Sequence, residues 1–121
     1  MTKNVPFSIT AGLPFSKTVI ITLPTGRNWW TNFEDFEVRS QIREKPDVSS
    51  TLILDLSDYM TVVFDEVDEV VAVIQMNGED TRKLTRSGFY DVVLSDVGTI
   101  DGRAYKIIEG NVRITQLVTS A

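Results

Sequence analysis

Carboxylates are the residues of this chain best placed to do chemistry, and they gather at two predicted turns. The first group consists of Asp65, Glu66, Asp68 and Glu69, and the second of Asp96 and Asp101. Carboxylate oxygens are ligands that Ca²⁺ prefers, and a carboxylate pair drives glycoside hydrolysis. Neither group has the spacing of a calcium loop, and Asp is favoured at turns for backbone reasons. We therefore predict solvated turns, no required metal ion and no catalytic residue.

The missing residue types exclude most other enzyme chemistry. The chain has no His and no Cys, which removes the usual general base near neutral pH, the Ser-His-Asp triad, thiol nucleophiles and thiolate metal sites. The glycines are isolated, so none forms a phosphate-binding loop. We predict a protein that is not an enzyme and binds no cofactor, with a small acidic enzyme as the weakest alternative.

Composition narrows the class of protein further. A chain of 121 residues is the size of a single domain, here taken as residues 1–121. Its 12 basic and 17 acidic residues give a net charge of −5, which disfavours binding to the phosphates of nucleic acids. No apolar stretch approaches the roughly 20 residues of a membrane helix, and the N-terminus lacks a signal-peptide core. We expect a soluble protein made in the cytoplasm, with no nucleic-acid or membrane partner.

Alternation of apolar and polar residues dominates the sequence and predicts β-strands. Nine segments show it, at about 7–9, 18–23, 35–43, 52–56, 59–64, 69–76, 89–94, 104–109 and 111–118. Gly and Pro separate them, and one helical turn is predicted at 80–84 with Asp80 as its N-cap. About eight strands and so little helix predict an all-β, two-sheet antiparallel sandwich of immunoglobulin-like type. A closed barrel remains the alternative, because periodicity does not distinguish the two.

The third predicted strand shows which residues should face the core. Its odd-numbered side chains, Glu37, Arg39, Gln41 and Arg43, should point outward, opposite Phe36, Val38, Ser40 and Ile42. The large apolar positions predicted to lie in the core are Phe36, Val38, Ile42, Leu54, Val92, Leu94 and Val112. Tyr90 is expected to be buried with its hydroxyl bonded to the backbone, as in residues that hold a sandwich corner.

Two parts of the chain are candidates for a contact with another protein. Residues 1–15 are too apolar for a solvated tail, so we predict that Phe7, Ile9 and Phe15 dock on a partner. Trp29 and Trp30 would anchor the same contact, since Trp is enriched at interface hot spots. The alternative for the tryptophans is packing under a loop within the domain.

Arg39 and Arg43, on the outward face of the third strand, form a secondary interface candidate. The alternative is that both pair with carboxylates on adjacent strands of the same sheet, where such contacts contribute little.

The order of several motifs is more specific than any one of them. They are Arg-x-x-Ile-Arg-Glu-Lys-Pro at 39–46, Leu-Asp-Leu-Ser at 54–57, Asn77-Gly78, Glu-Asp-Thr-Arg-Lys-Leu at 79–84, Gly-Phe-Tyr-Asp-Val at 88–92 and Ile-Glu-Gly-Asn-Val at 108–112, before Val118-Thr119. This order resembles small tailed-phage virion proteins, and is similar to the immunoglobulin-like N-terminal domain of siphophage upper baseplate proteins. The resemblance covers about residues 15–119, and its motifs are structural.

The resemblance implies a non-enzymatic structural component of a bacteriophage particle, made in the host cytoplasm and located in the virion. The implied role is an adaptor in the tail, baseplate or fibre-attachment region, present as a symmetric homo-oligomer or in multiple copies beside other virion proteins. In such proteins Tyr90-Asp91 would start a central strand, and Gly110 would allow a bend or bulge before the last strand. Nothing follows Ala121 here, so a stand-alone adaptor, a head decoration protein or a connector that uses its partner's fibre is expected. The alternatives are a capsid decoration protein and a carbohydrate- or ligand-binding β-sandwich.

Overall fold

A computed structural model describes residues 2–22, 36–66, 69–96 and 104–117. Its strands are β1 (Lys3–Asn4), β2 (Phe7–Ala11), β3 (Phe15–Thr22), β4 (Phe36–Arg43), β5 (Leu52–Asp55), β6 (Met60–Glu66), β7 (Glu69–Met76), β8 (Gly88–Asp96) and β9 (Ala104–Gln116). A 3-10 turn at Ser57–Tyr59 and a short helix, α1 (Gly78–Thr81), complete the described elements. Among these elements, no helix has the length and hydropathy needed to cross a bilayer.

The strands form two sheets packed face to face. The larger sheet has the order β1-β9-β8-β4-β5 with β2 also paired to β9, and the smaller has the order β3-β7-β6. Within the described ranges no strand pairing joins the two sheets, which confirms the sandwich and rules out the closed barrel. The order is immunoglobulin-like, since a three-stranded sheet faces the four antiparallel strands β9, β8, β4 and β5. The expectation of a wholly antiparallel sandwich needs one correction, because β1 and β2 both run parallel to β9.

The core lies between the sheets and matches most of the predicted positions. Buried side chains include Ile42, Val92, Leu94 and Val112, as predicted, while Val38 and Leu54 are half-buried against them. Leu56, just after β5, is fully buried and was not singled out by the sequence. The side chain of Phe36 lies outside the described part of the structure.

Strand β9 runs without a break through Gly110, where the sequence predicted a boundary between two strands. The register shifts earlier: Val92 pairs with Ile108 and Val93 with Lys106. Ile107 is therefore the extra residue of a β-bulge, and both Ile107 and Ile108 are buried. Gly110 serves a different need, since a Cβ atom there would lie 2.6 Å from the Val5 carbonyl oxygen. Glycine lets the N-terminal segment run close beside β9.

Helix α1 begins earlier than predicted because Asn77, and not Asp80, caps it. The Asn77 side chain accepts a hydrogen bond from the Asp80 backbone N–H at 2.8 Å. Thr81 is fully buried at its end, donates to the Leu13 carbonyl at 2.8 Å and accepts from the Gly12 N–H at 3.0 Å. The helix therefore holds the turn between β2 and β3, where Gly12 has a positive φ of 93°.

Tyr90 ties the N-terminal segment to the larger sheet, which confirms that it is buried and bonded to the backbone. It is 3% exposed, its hydroxyl donates to the Val5 carbonyl at 2.5 Å, and its ring centroid lies 4.6 Å from that of Phe7. Val5 also donates its N–H to the Glu109 carbonyl at 2.9 Å. Burial raises the pKa of the Tyr90 hydroxyl, because the phenolate form would lose its hydration.

We expect Tyr90→Phe to lower the free energy of unfolding by about 1–2 kcal/mol at neutral pH, since one buried acceptor loses its donor. The raised pKa adds a dependence on pH. A group with a raised folded pKa contributes its full stability below its unfolded pKa of about 10 and loses it as the pH rises further. Urea unfolding should therefore show that the free energy of unfolding falls between neutral pH and pH above about 10, and that this fall is smaller in the Phe variant. Equal declines in both proteins would contradict this role of Tyr90.

Candidate protein-binding surfaces

The N-terminal residues predicted to contact a partner belong to the core of this chain. Phe7 is 7% exposed and Ile9 is fully buried, because β2 pairs with β9 over its whole length, with Phe7 opposite Val112. Phe15 is half-buried, with its ring centroid 5.1 Å from that of Phe7. This corrects the prediction of a segment docked on another protein, because the apolar side chains of this segment are covered by its own fold.

Two other predicted site residues lie outside the described part of the structure. They are Trp29 and Trp30. Asp68 and Asp101, at the two acidic turns that were predicted to be solvated, also lie outside it, together with the side chains of Asp65, Glu66 and Asp96. In the ranges that are described, no three Asp or Glu side chains gather closely enough to hold a metal ion.

Arg39 and Arg43 lie on the outward face of the larger sheet, as predicted. We call this surface the charged face; its ionic side chains include Glu37, Arg39, Arg43, Asp55, Asp91, Lys106 and Glu109. Phe89 and Val93 are the apolar side chains on the outward side of the central strand β8. Each strand contributes every second residue to this face, because side chains alternate across a sheet.

The ion pairs on the charged face are open to solvent. Arg39 Nε lies 3.1 Å from Glu37 Oε1, and Lys106 Nζ lies 3.3 Å from Glu109 and 3.9 Å from Asp91. Exposed pairs of this kind each contribute about 0–1 kcal/mol. The contacts fit the expected pairing of the arginines in part, since Arg39 does pair with a carboxylate, although on its own strand.

Arg43 is held differently, by neutral acceptors. Its Nε and Nη2 donate to Gln41 Oε1 at 3.2 and 2.8 Å, and its Nη1 donates to the Ser50 carbonyl at 2.7 Å. A guanidinium has five N–H donors, so two have no acceptor among the described residues, and the side chain is fixed with its charge available to a partner. Hydrogen bonds from Ser49 lower the pKa of the nearby Asp47 carboxyl, and the positive charge of Arg43 adds a smaller effect in the same direction.

A shallow pocket of about 170 Å³ opens beside Arg43. Phe89, Asp91, Lys106 and Glu109 line it, with the loop at residues 45–48 forming its rim. Acidic and basic side chains therefore lie together around the partly exposed ring of Phe89. The pocket offers recognition of charged groups on a protein or small ligand, and holds no pairing of a nucleophile with a base.

Part of the outward face of the smaller sheet is apolar, where solvent would normally favour polar residues. Ile20 on β3 pairs with Val71 on β7, and Val71 pairs in turn with Val63 on β6. Ile20 is 53% and Val63 51% exposed, while Val71 and Val73 are half-buried between their neighbours. We call Ile20, Val63, Val71 and Val73 the apolar stripe. The solvent side of an antiparallel sheet is usually polar, so this stripe has the character of a contact surface.

Sequence reasoning missed the apolar stripe, although a signal was present. Residues 70–74 are apolar on both faces of β7, as Val-Val-Ala-Val-Ile. Such a run is typical of a strand covered on both sides. One side of β7 faces the core, and the structure leaves the other side uncovered in the single chain.

The sequence matches no protein-family model and no curated protein. Solved structures with a similar arrangement include the ZIG-8 IG1 homodimer, at 9% identity and a TM-score of 0.35 over 95% of this chain and 82% of that one. The ZIG-8–RIG-5 IG1–IG1 heterodimer is 12% identical, with a TM-score of 0.33 over 94% and 82%. The endo-fucoidan hydrolase MfFcnA4 of glycoside hydrolase family 107 is 13% identical, with a TM-score of 0.35 over 93% of this chain but 13% of that one. At these identities the likeness concerns the fold alone.

Proposed function

We propose that this protein is a non-enzymatic structural component of a tailed-phage particle, acting as an adaptor in the tail, baseplate or fibre-attachment region. Its role is to bind neighbouring virion proteins. The order of sequence motifs supports the phage setting, and the apolar stripe is the structural observation that supports assembly. A capsid decoration protein would use the same surface at a different place in the particle.

The apolar stripe supports this role because of its position and shape. Ile20, Val71 and Val63 stand in one row across all three strands of the smaller sheet. Their β-branched side chains present a flat and rigid surface, which another chain can cover at little cost in side-chain entropy. Burial of such side chains contributes roughly 25 cal/mol per Å² of apolar area.

The test is a charged substitution in the stripe. We expect Val63→Lys to leave the isolated domain folded, since its side chain is half in solvent. We also expect it to reduce incorporation into particles at least about tenfold, because a lysine buried in an apolar contact costs more than about 1.4 kcal/mol. Val48→Lys is the matched control, since Val48 is 86% exposed in a loop. Incorporation is measured by quantitative immunoblotting of purified particles from infections complemented with each variant.

Two results would contradict the proposal. Purified particles that lack the wild-type protein would remove the phage role, and equal incorporation of both lysine variants would remove the stripe as the assembly surface. Glycan binding by the isolated domain, lost in Phe89→Ala, would favour the ligand-binding alternative, whose support is the pocket beside Arg43.

A further inference from the structure

The charged face arranges its ionic residues in rows that run across the strands. Asp55, Asp91 and Glu109 share one row with Gln41, because Gln41 pairs with both Asp55 and Asp91, and Asp91 pairs with Glu109. We call these three acids the anionic row. All three are far apart in sequence, so only the register of the strands brings them into line.

The next row along the strands has the opposite charge. Arg39 pairs with Val93, which pairs with Lys106, and the two basic residues form what we call the cationic row. It lies two residues from the anionic row, or about 7 Å along an extended strand. Outside these rows, Arg43 lies beyond the anionic row and Glu37 beyond the cationic row, so four successive levels along the strands alternate in sign.

From this alternation we propose that the charged face binds a second copy of the same chain in an isologous dimer. A two-fold axis in the plane of the sheet, crossing the strands between the two rows, lays the anionic row of each copy over the cationic row of the other. The same operation brings Arg43 over Glu37 of the second copy. A two-fold interface must be self-complementary. Each strand lies over its own symmetry mate, so Lys106 of each copy faces Glu109 of the other, while Arg39 faces Gln41 and Asp91 faces Val93.

The side chains that would make these contacts are accessible in the single chain. The Lys106 side chain is 46% exposed and that of Glu109 is 50% exposed. Their existing ion pairs are exposed and weak, so they can be shared with a second copy without loss of a buried contact. Phe89 and Val93 on β8 supply apolar area at the centre of the face. Charge complementarity therefore selects a second copy as the occupant.

Charge reversal tests the proposed dimer on the full chain in solution. Sedimentation velocity over a concentration series measures the Kd for dimerisation of the wild type, Lys106→Glu and Glu109→Lys. Each variant sets like charges against each other at both symmetry-related contacts, so we expect the Kd to rise at least about tenfold. Raised salt should weaken the wild-type dimer, because exposed charges are screened.

An equimolar mixture of the two variants gives the decisive comparison. In the mixed dimer, the new Glu at position 106 meets the new Lys at position 109, and the unchanged Glu109 meets the unchanged Lys106, so both contacts are attractive again. We expect the mixture to dimerise with a Kd within a few-fold of the wild-type value. Arg82→Glu, a reversal of an exposed arginine outside the charged face, is the matched control and should leave the Kd unchanged.

A wild-type protein that stays monomeric at every concentration would overturn the inference. So would a dimer that is insensitive to Lys106→Glu, or a mixture that fails to recover. This interface is separate from the apolar stripe, so its failure would leave particle incorporation and the Val63→Lys result unaffected, and the two proposals can be judged independently.

Discussion

Deletion of residues 1–14 should unfold the domain. The deletion removes β1 and β2, which together pair with β9 along most of its length. It also removes Phe7 and Ile9 from the core, at roughly 1.5–3 kcal/mol for each side chain. The Val5 carbonyl that accepts the Tyr90 hydroxyl is lost as well. These losses together are comparable with the whole stability of a typical domain, about 5–15 kcal/mol.

Near-ultraviolet circular dichroism and thermal unfolding of the truncated chain provide the measurement. We expect no fixed tertiary signal and no cooperative transition. A chain lacking residues 1–2 is the control, since it keeps every residue of β1 and β2 and should unfold like the full chain. A cooperative, monomeric product of the longer deletion would show that the N-terminal segment is dispensable for folding, as a docking segment would be.

Leu56→Ala should destabilise the protein by about 2–5 kcal/mol, because it leaves a cavity where the structure cannot easily close. Leu56 is fully buried between the sheets, just before the 3-10 turn. Its backbone N–H donates to the Ser40 carbonyl at 2.7 Å, which holds the residue in place. The measurement is the midpoint of urea unfolding with its slope.

Leu52→Ala is the matched control, because it removes the same atoms four residues away. Leu52 is 45% exposed at the edge of the larger sheet, so we expect a loss of less than about 1 kcal/mol, in the range of surface substitutions. Equal effects of the two substitutions would mean that the end of β5 is placed wrongly relative to the core.

Strands and their faces were largely predictable from the sequence. The sixth predicted segment, 69–76, coincides with β7, and the predicted inward and outward faces of β4 are those observed. The alternation of apolar and polar residues predicts these faces because successive side chains point to opposite sides of a strand and one side is buried in the core. Helix α1 was misplaced because Asn77 and Asp80 are both good capping residues, and the local sequence does not distinguish them.

Pairing between distant segments was not predictable from the sequence. Ile9 is apolar whether it fills its own core or a partner's groove, and the difference is made by its parallel pairing with Ile114, about a hundred residues away. The same holds for Gly110, whose role depends on the backbone of Val5, which lies close against it. Such contacts are set by the global packing of the chain, which periodicity within a short window does not report.

The sequence by itself determined the class of fold, the core positions of the central strands and the lack of His- and Cys-based chemistry, because these follow from composition and from the two-residue period of a strand. Tertiary structure alone decided which residues line up on the two proposed binding surfaces. The apolar stripe forms because β3, β7 and β6 align Ile20, Val71 and Val63, and the charged rows form because strand register aligns Asp55, Asp91 and Glu109. A slip of one residue in register would turn these side chains to the other face, so the binding surfaces exist only in the assembled sheets.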